Sequence, residues 1–224
     1  MHKRGYLWLL ALLCLMCLGC GGQTASGPST VQRILGAAPL HDAAFTITFT
    51  TDSAHGTGTG TLTMDPALVA LHLNGNQHII IDTPDDLIYG RLANDPLWSI
   101  LNDVDNGVFT NYDVQVWQPG ALQAPQLVGT ETLDGSPTWH VRGGFVATMY
   151  DSTGNIVDAP GTEDVWLRQS DSLPVQLVKK AHLKGTSSTG LAFAVDLDAT
   201  YHFTAWNRGA TITLPDPSQI AASG

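Results

Sequence analysis

The chain has 224 residues, with 20 acidic against 10 basic side chains and a formal net charge of −10 at neutral pH. Phosphate backbones need a basic surface, so this acidic balance excludes a nucleic-acid partner. The three cysteines, Cys14, Cys17 and Cys20, all lie at the start, which leaves the rest without disulfides, cysteine metal ligands or cysteine nucleophiles.

Lys3 and Arg4 precede an apolar run over residues 6–18 that ends in Gly19 and Cys20, the layout of a secretory signal. The run is shorter than the roughly 20 apolar residues a membrane span needs, and Gly21 and Gly22 make a flexible exit. The tetrad Cys17-Leu18-Gly19-Cys20 resembles a bacterial lipobox, whose cysteine thiol receives diacylglycerol before the signal is cut; Cys17 departs from the leucine commonest there. A plain secretory signal or an uncleaved anchor is the alternative. Cleavage before Cys20 removes Lys3 and Arg4, which takes the formal charge from −10 to −12. Acyl chains on Cys20, at about 0.8 kcal/mol per buried methylene, would then hold residues 20–224 to a membrane surface outside the cytoplasm.

Residues 20–28 read as a flexible polar tether. Ser29-Thr30-Val31-Gln32 has the form of a capping box, and Val31, Ile34, Leu35 and Ala38 follow at helical spacing, so a short amphipathic helix is predicted over 29–38. From Phe45 the period becomes two. Phe45, Ile47 and Phe49 share one face of a strand and Thr46, Thr48 and Thr50 the other. The next strand, 56–64, alternates threonine with Gly56, Gly58, Gly60, Leu62 and Met64. No helix pattern follows these glycines, so a phosphate-binding loop is rejected; three of them on one face predict sheet curvature or room for something bulky.

Strands over 67–73, 78–82 and 87–92 extend a meander through turn residues Asn74-Gly75 and Pro84-Asp85. Asp95 before Pro96, with Leu97, Ile100, Leu101 and Val104 at helical spacing, predicts a helix over 96–106. Residues 108–126 follow no single period. A hairpin turning at Asp134-Gly135 comes next, then a loop over 151–161 and strands over 164–168, 175–184, 190–204 and 210–214. In the long 190–204 strand, Leu191, Phe193, Val195, Leu197, Ala199, Tyr201 and Phe203 form one apolar face opposite Asp196, Asp198, Thr200 and His202.

The order of Gly129-Thr130-Glu131-Thr132-Leu133-Asp134-Gly135, Trp139-His140-Val141-Arg142-Gly143, Asp164-Val165-Trp166-Leu167-Arg168 and Ala210-Thr211-Ile212-Thr213-Leu214-Pro215, behind a lipobox, resembles the LppX/LprG-type lipoproteins of mycobacteria. The resemblance covers about the last hundred residues; the first half matches in strand pattern only. It implies a mainly β (α+β) fold, the curved antiparallel half-barrel also found in LolA and LolB, with a few short helices on the concave side. It further implies an apolar lipid cavity and a role in carrying a lipid or acylated ligand.

Residues 29–224 are therefore read as one lipid-binding domain, monomeric and without cofactor, metal or enzymatic activity. Phe45, Ile47, Phe49, Gly58, Gly60, Leu62, Phe193, Val195, Leu197 and Tyr201 are its cavity residues, and Cys20 its site of lipidation. No histidine has zinc-site spacing and no GxSxG elbow is present. The cations Lys180, His182 and Lys184 read as a solvated face. An envelope sensor acting through a membrane partner and a secreted hydrolase are the alternative functions, the second requiring a polar triad assembled by the fold.

Overall fold

The computed structural model describes residues 30–36, 40–50, 55–85, 87–100, 122–150, 156–186 and 192–221, of which Val31 onward belong to one compact unit. The signal, Cys20 and the tether lie outside the described residues.

Eleven strands make one antiparallel sheet. They are β1 (Asp42–Thr50), β2 (His55–Met64), β3 (Ala67–Leu73), β4 (Gln77–Asp82), β5 (Leu87–Leu92), β6 (Ser99–Ile100), β7 (Gln123–Leu133), β8 (Ser136–Tyr150), β9 (Ile156–Arg168), β10 (Pro174–Thr186) and β11 (Ala192–Trp206). The spatial order β6-β5-β4-β3-β2-β1-β11-β10-β9-β8-β7 is two meanders, one from each half of the chain, joined where β1 pairs with β11. Since β6 and β7 are the two edges and do not pair, the sheet is open rather than a closed barrel.

Turn chemistry sets the hairpins. Asp134 and Gly135, with φ of 50° and 74°, form the two-residue left-handed turn whose twist matches the strands it joins, and Asn74 and Gly75 adopt the same pair of conformations between β3 and β4. Alternation then sorts the side chains. One face of the sheet, here the inner face, carries Ala43, Phe45, Ile47, Val69, Leu71, Leu73, Ile79, Ile81, Val141, Val165, Leu167, Leu177, Ala199, Tyr201 and Phe203 in a single buried apolar cluster. The one α-helix among the described residues, α1 (Thr30–Gly36), adds Ile34 and Leu35 to that cluster. Phe45 packs edge-on to Tyr201 at a centroid distance of 5.6 Å and beside Phe203 at 5.9 Å, which locks the seam between the meanders.

The opposite, outer face has its own small core. Ile80, Tyr89 and Trp98 are buried there with Ile212 and Ile220 of the C-terminal segment. That segment is held to the strand edge by the Trp98 N–H donating to the Gln219 carbonyl (2.7 Å) and the Ala221 N–H donating to the Trp98 carbonyl (2.7 Å). A 3₁₀ turn, Pro217–Gln219, positions it, capped by the Asp216 carboxylate.

Three expectations are corrected. The helix predicted over 96–106 does not start: Trp98 bridges to Ile220, and Ser99–Ile100 pairs as an edge strand with β5. Burying Trp98 under the C-terminal segment wins over the helical spacing; residues 101–106 lie outside the described residues. The strand predicted over 210–214 is irregular chain laid on the outer face, where Ile212 packs against Ile80, Tyr89 and Trp98. Residues 156–161 of the loop predicted over 151–161 belong to β9, whose pairing with β8 runs out to Tyr150 and Ile156; residues 151–155 lie outside the described residues.

Candidate ligand-binding face

The predicted cavity residues gather around the seam. Phe45, Ile47 and Phe49 of β1 stand opposite Gly60, Gly58 and Gly56 of β2 on one side, and opposite Phe203, Tyr201 and Ala199 of β11 on the other. Leu62 pairs with Ala43, and Leu197 lies next along the inner face from Ala199. Phe45, Ile47, Leu62 and Tyr201 are buried, whereas Phe49 and Leu197 are only partly covered. Phe193 and Val195 fall at the register positions of Gly185 and Leu183; their side chains are outside the described set.

The glycines of β2 make room for the protein's own side chains. A Cβ on Gly60 would lie 2.3 Å from Phe45 Cζ, one on Gly56 2.4 Å from Phe49 Cζ, and one on Gly58 2.5 Å from the His72 carbonyl oxygen and 2.7 Å from Leu73 Cδ2. The reading of Gly58 and Gly60 as space left for a ligand is thereby corrected. Phe45 occupies the space beside Gly60, and the His72 carbonyl and Leu73 that beside Gly58.

Two charged side chains interrupt the apolar inner face. Lys179 and Glu163 are register partners on β10 and β9, 2% and 6% exposed, with Nζ and Oε2 3.6 Å apart. Nζ also sits 5.1 Å from the centroid of the Phe145 ring. Gly143 is opposite Glu163, Ala199 is opposite Lys179, and Gly161 pairs with Ala181 one step along; Leu122 fills the space beside Gly143 and Phe145 that beside Gly161. Sequence reasoning passed over this pair, yet the signal was present, since Lys179 shares the strand parity of Leu177 and Ala181 rather than that of Lys180 and His182.

Just past the ion pair the sheet forks. β9 and β10 pair as far as Gly161 and Ala181 and no further, although β9 stays paired with β8 to Ile156 and β10 with β11 to Thr186. Pro160, which has no N–H to donate, stands at the divergence. A groove of about 490 Å³ lies here, lined by Pro160, Gly161 and Thr162 of β9, Lys180, Ala181 and His182 of β10, and Asp196, Leu197 and Asp198 of β11. Phe145, Ala159 and Ala181, with Leu197, form a small apolar cluster at its base. Lys180 Nζ is 2.9 Å from Asp198 Oδ2, and His182 bonds Asp196, so cross-strand ion pairs rim the groove.

The outer face also tests the hydrolase reading. His140, 6% exposed, places Nδ1 2.9 Å from Glu131 Oε1 and Nε2 2.6 Å from Asp164 Oδ1, with its ring stacked on Trp166 at 4.3 Å. Arg142 Nε donates to the same Asp164 oxygen at 2.8 Å. Burial pushes the Asp164 pKa up, but the hydrogen bonds from Arg142 and His140 outweigh it and hold the carboxyl below its ordinary value. Both imidazole nitrogens face carboxylates, so neither is left to activate a hydroxyl nucleophile. The cluster is a brace across β7, β8 and β9.

No family model and no curated protein matches the chain. Among solved structures, the lipoprotein LppX of Mycobacterium tuberculosis is similar over 78% of this chain and 91% of its own, with 16% sequence identity and a TM-score of 0.44. LprF from Mycobacterium bovis is similar over 84% and 96%, at 14% identity and a TM-score of 0.40. A DUF1329-family protein from Desulfovibrio piger is similar over 81% and 92%, at 9% identity and a TM-score of 0.39. The chain is thus similar in structure to LppX and LprF, at low sequence identity.

Proposed function

We propose that this protein is an extracytoplasmic lipoprotein, tethered to a membrane through Cys20 and residues 20–28, whose domain over 29–224 binds the alkyl chain of a lipid or acylated ligand against the inner face of its open sheet. The supporting observation is the continuity of that face. Nine strands, β1–β5 and β8–β11, contribute inner-face residues to one apolar cluster, which reaches the partly covered Phe49 and Leu197. An open sheet can admit a chain at such a face without unfolding, and apolar walls with few polar groups are the usual lining of small-molecule sites. Phe45, Ile47, Leu62 and Tyr201 form the floor in this reading, and Phe49, Phe193, Val195 and Leu197 lead outward from it. Gly60 serves by seating the Phe45 ring, and Gly58 by admitting the close approach of the His72 carbonyl and Leu73. No reaction is assigned.

Anchoring rests on the tetrad ending in Cys20 and is tested apart from ligand binding. Replacing Cys20→Ser should abolish incorporation of labelled palmitate and move the protein from the membrane to the soluble fraction, because a hydroxyl does not accept the lipid in place of the thiol. A serine variant that stays membrane-bound refutes the anchor.

A further inference from the structure

Twenty acidic side chains stand against ten basic ones in this chain, and on the outer face His140, Arg142, Arg168, Lys180, His182 and His202 each contact a carboxylate. One row of that face is different. His72 of β3 and His78 of β4 are register partners with their rings stacked at a centroid distance of 4.3 Å, and His78 is in turn opposite Arg91 of β5. Among the described residues no carboxylate bonds any of the three. Asp95, the acid nearest to Arg91 in sequence, accepts from the Leu92 N–H instead (3.3 Å).

Setting cations opposite one another on a sheet costs stability. The guanidinium is held from one side: Arg91 Cζ lies 4.5 Å from the centroid of the Trp98 ring, and Nε is buried without a hydrogen-bond partner. Stacking engages the flat face of the group and leaves its outer edge, the fork that grips an oxyanion through two parallel hydrogen bonds. Arg91 and His78 are half-buried and His72 is exposed, so the row is open to solvent. Thr59, the neighbour of His72 on β2, adds a hydroxyl and no charge. Burial, then the charges of His72 and Arg91, hold the His78 pKa below its ordinary value, so this imidazole is neutral at neutral pH and gains its second N–H donor in acid.

We propose that His72, His78 and Arg91 form a binding site for a phosphate group on the outer face, with Arg91 gripping two of its oxygens and the imidazoles donating to the others. A bound phosphate supplies the negative charge that the row lacks and favours the protonated form of both imidazoles. A carboxylate has two oxygens, both taken by the Arg91 fork, and leaves the imidazoles unused. The site lies across the sheet from the apolar inner face and does not rest on the lipid-binding reading. A phosphorylated lipid head and a free phosphate offer the same oxygens, and the test separates them.

Residues from Val31 onward form one compact unit, so residues 26–224 serve for the test. Followed by NMR, the ring signals of His72 and His78 should titrate about one pH unit higher in inorganic phosphate than in chloride of equal ionic strength, the mark of a tenfold preference for the protonated row, while those of His182 stay in place. Arg91→Gln should weaken phosphate binding about tenfold by calorimetry, the scale of one charge-assisted hydrogen bond. That change also loses the stack on Trp98, so His78→Gln, which keeps the stack, is the second variant and should weaken binding likewise. Without a response to inorganic phosphate, co-sedimentation with phosphatidic acid vesicles but not with phosphatidylcholine vesicles, lost in both variants, supports the same site and assigns the phosphate to a lipid head. Binding of neither probe, or binding that either substitution leaves unchanged, overturns the site.

Discussion

The glycines at 56, 58 and 60 show how far a single residue type can be read. Their alternation with threonine identifies a strand, but it leaves open what fills the missing side-chain volume. Phe45, Phe49 and Leu73 fill it, and only the cross-strand register brings them there. Gly58→Leu is therefore expected to destabilise by about 1–3 kcal/mol through overpacking against the His72 carbonyl and Leu73, seen as a lowered urea midpoint with unchanged slope. An unchanged midpoint would mean that the space is open after all. Asp42 makes a second residue-scale case. Its carboxylate accepts from the Arg208 N–H at 2.9 Å and the Gly209 N–H at 2.9 Å, and the Arg208 bond leads the causes that hold its pKa below the ordinary aspartate value. A depressed folded pKa gives stability that is present above the unfolded value and lost as pH falls through the folded one. Asp42→Asn should flatten that acid limb of the pH–stability profile; a limb of unchanged steepness would place the acid sensitivity elsewhere.

At the scale of elements, the strands that alternate cleanly were legible, and the reason is burial on one side. β1 and β11 each set apolar residues against polar ones with a period of two, and each lies close to where the sequence places it. The misread elements are those whose partners are distant in sequence. Leu97 and Ile100 fit a helical stripe locally, yet Trp98 between them packs with Ile220, more than a hundred residues away. Ala210-Thr211-Ile212-Thr213-Leu214 alternates like a strand, but Ile212 packs on the outer face against Ile80, Tyr89 and Trp98, far away in sequence. The candidate site was legible to the same extent: the apolar inner residues follow from alternation, whereas the Lys179–Glu163 pair and the fork at Pro160 depend on β9–β10 pairing that no local pattern announces. A prediction follows for the C-terminal segment. Removing residues 216–224 takes away the backbone partners of Trp98 and uncovers Ile80 and Tyr89, so β4, β5 and β6 should lose amide-exchange protection while the β8–β10 hairpins keep theirs. Uniform loss across the sheet would show that the segment supports the whole fold.

For the whole molecule, the joining of two meanders along β1 and β11 has a consequence for both stability and access. The first and last regular strands of the domain meet at the centre, so their pairing must wait for nearly the entire chain, and the Phe45, Tyr201 and Phe203 cluster holds the halves together. Phe45→Ala should cost about 3–5 kcal/mol by emptying that seam, measured as a fall in the urea midpoint, and a loss below about 1 kcal/mol would deny the seam its role. The same open arrangement leaves two unpaired edges, β6 and β7, and a fork between β9 and β10, instead of a closed barrel with a sealed interior. The central claim is that the inner face of this sheet holds an alkyl chain, and its most direct test is native mass spectrometry of residues 26–224 expressed without the anchor, paired with analysis of an organic extract of the same sample. One long-chain lipid per protein molecule, retained through purification and identified in the extract, is the predicted result. Protein of bare polypeptide mass, whose tryptophan fluorescence is also not quenched by added dibrominated stearic acid, would contradict it.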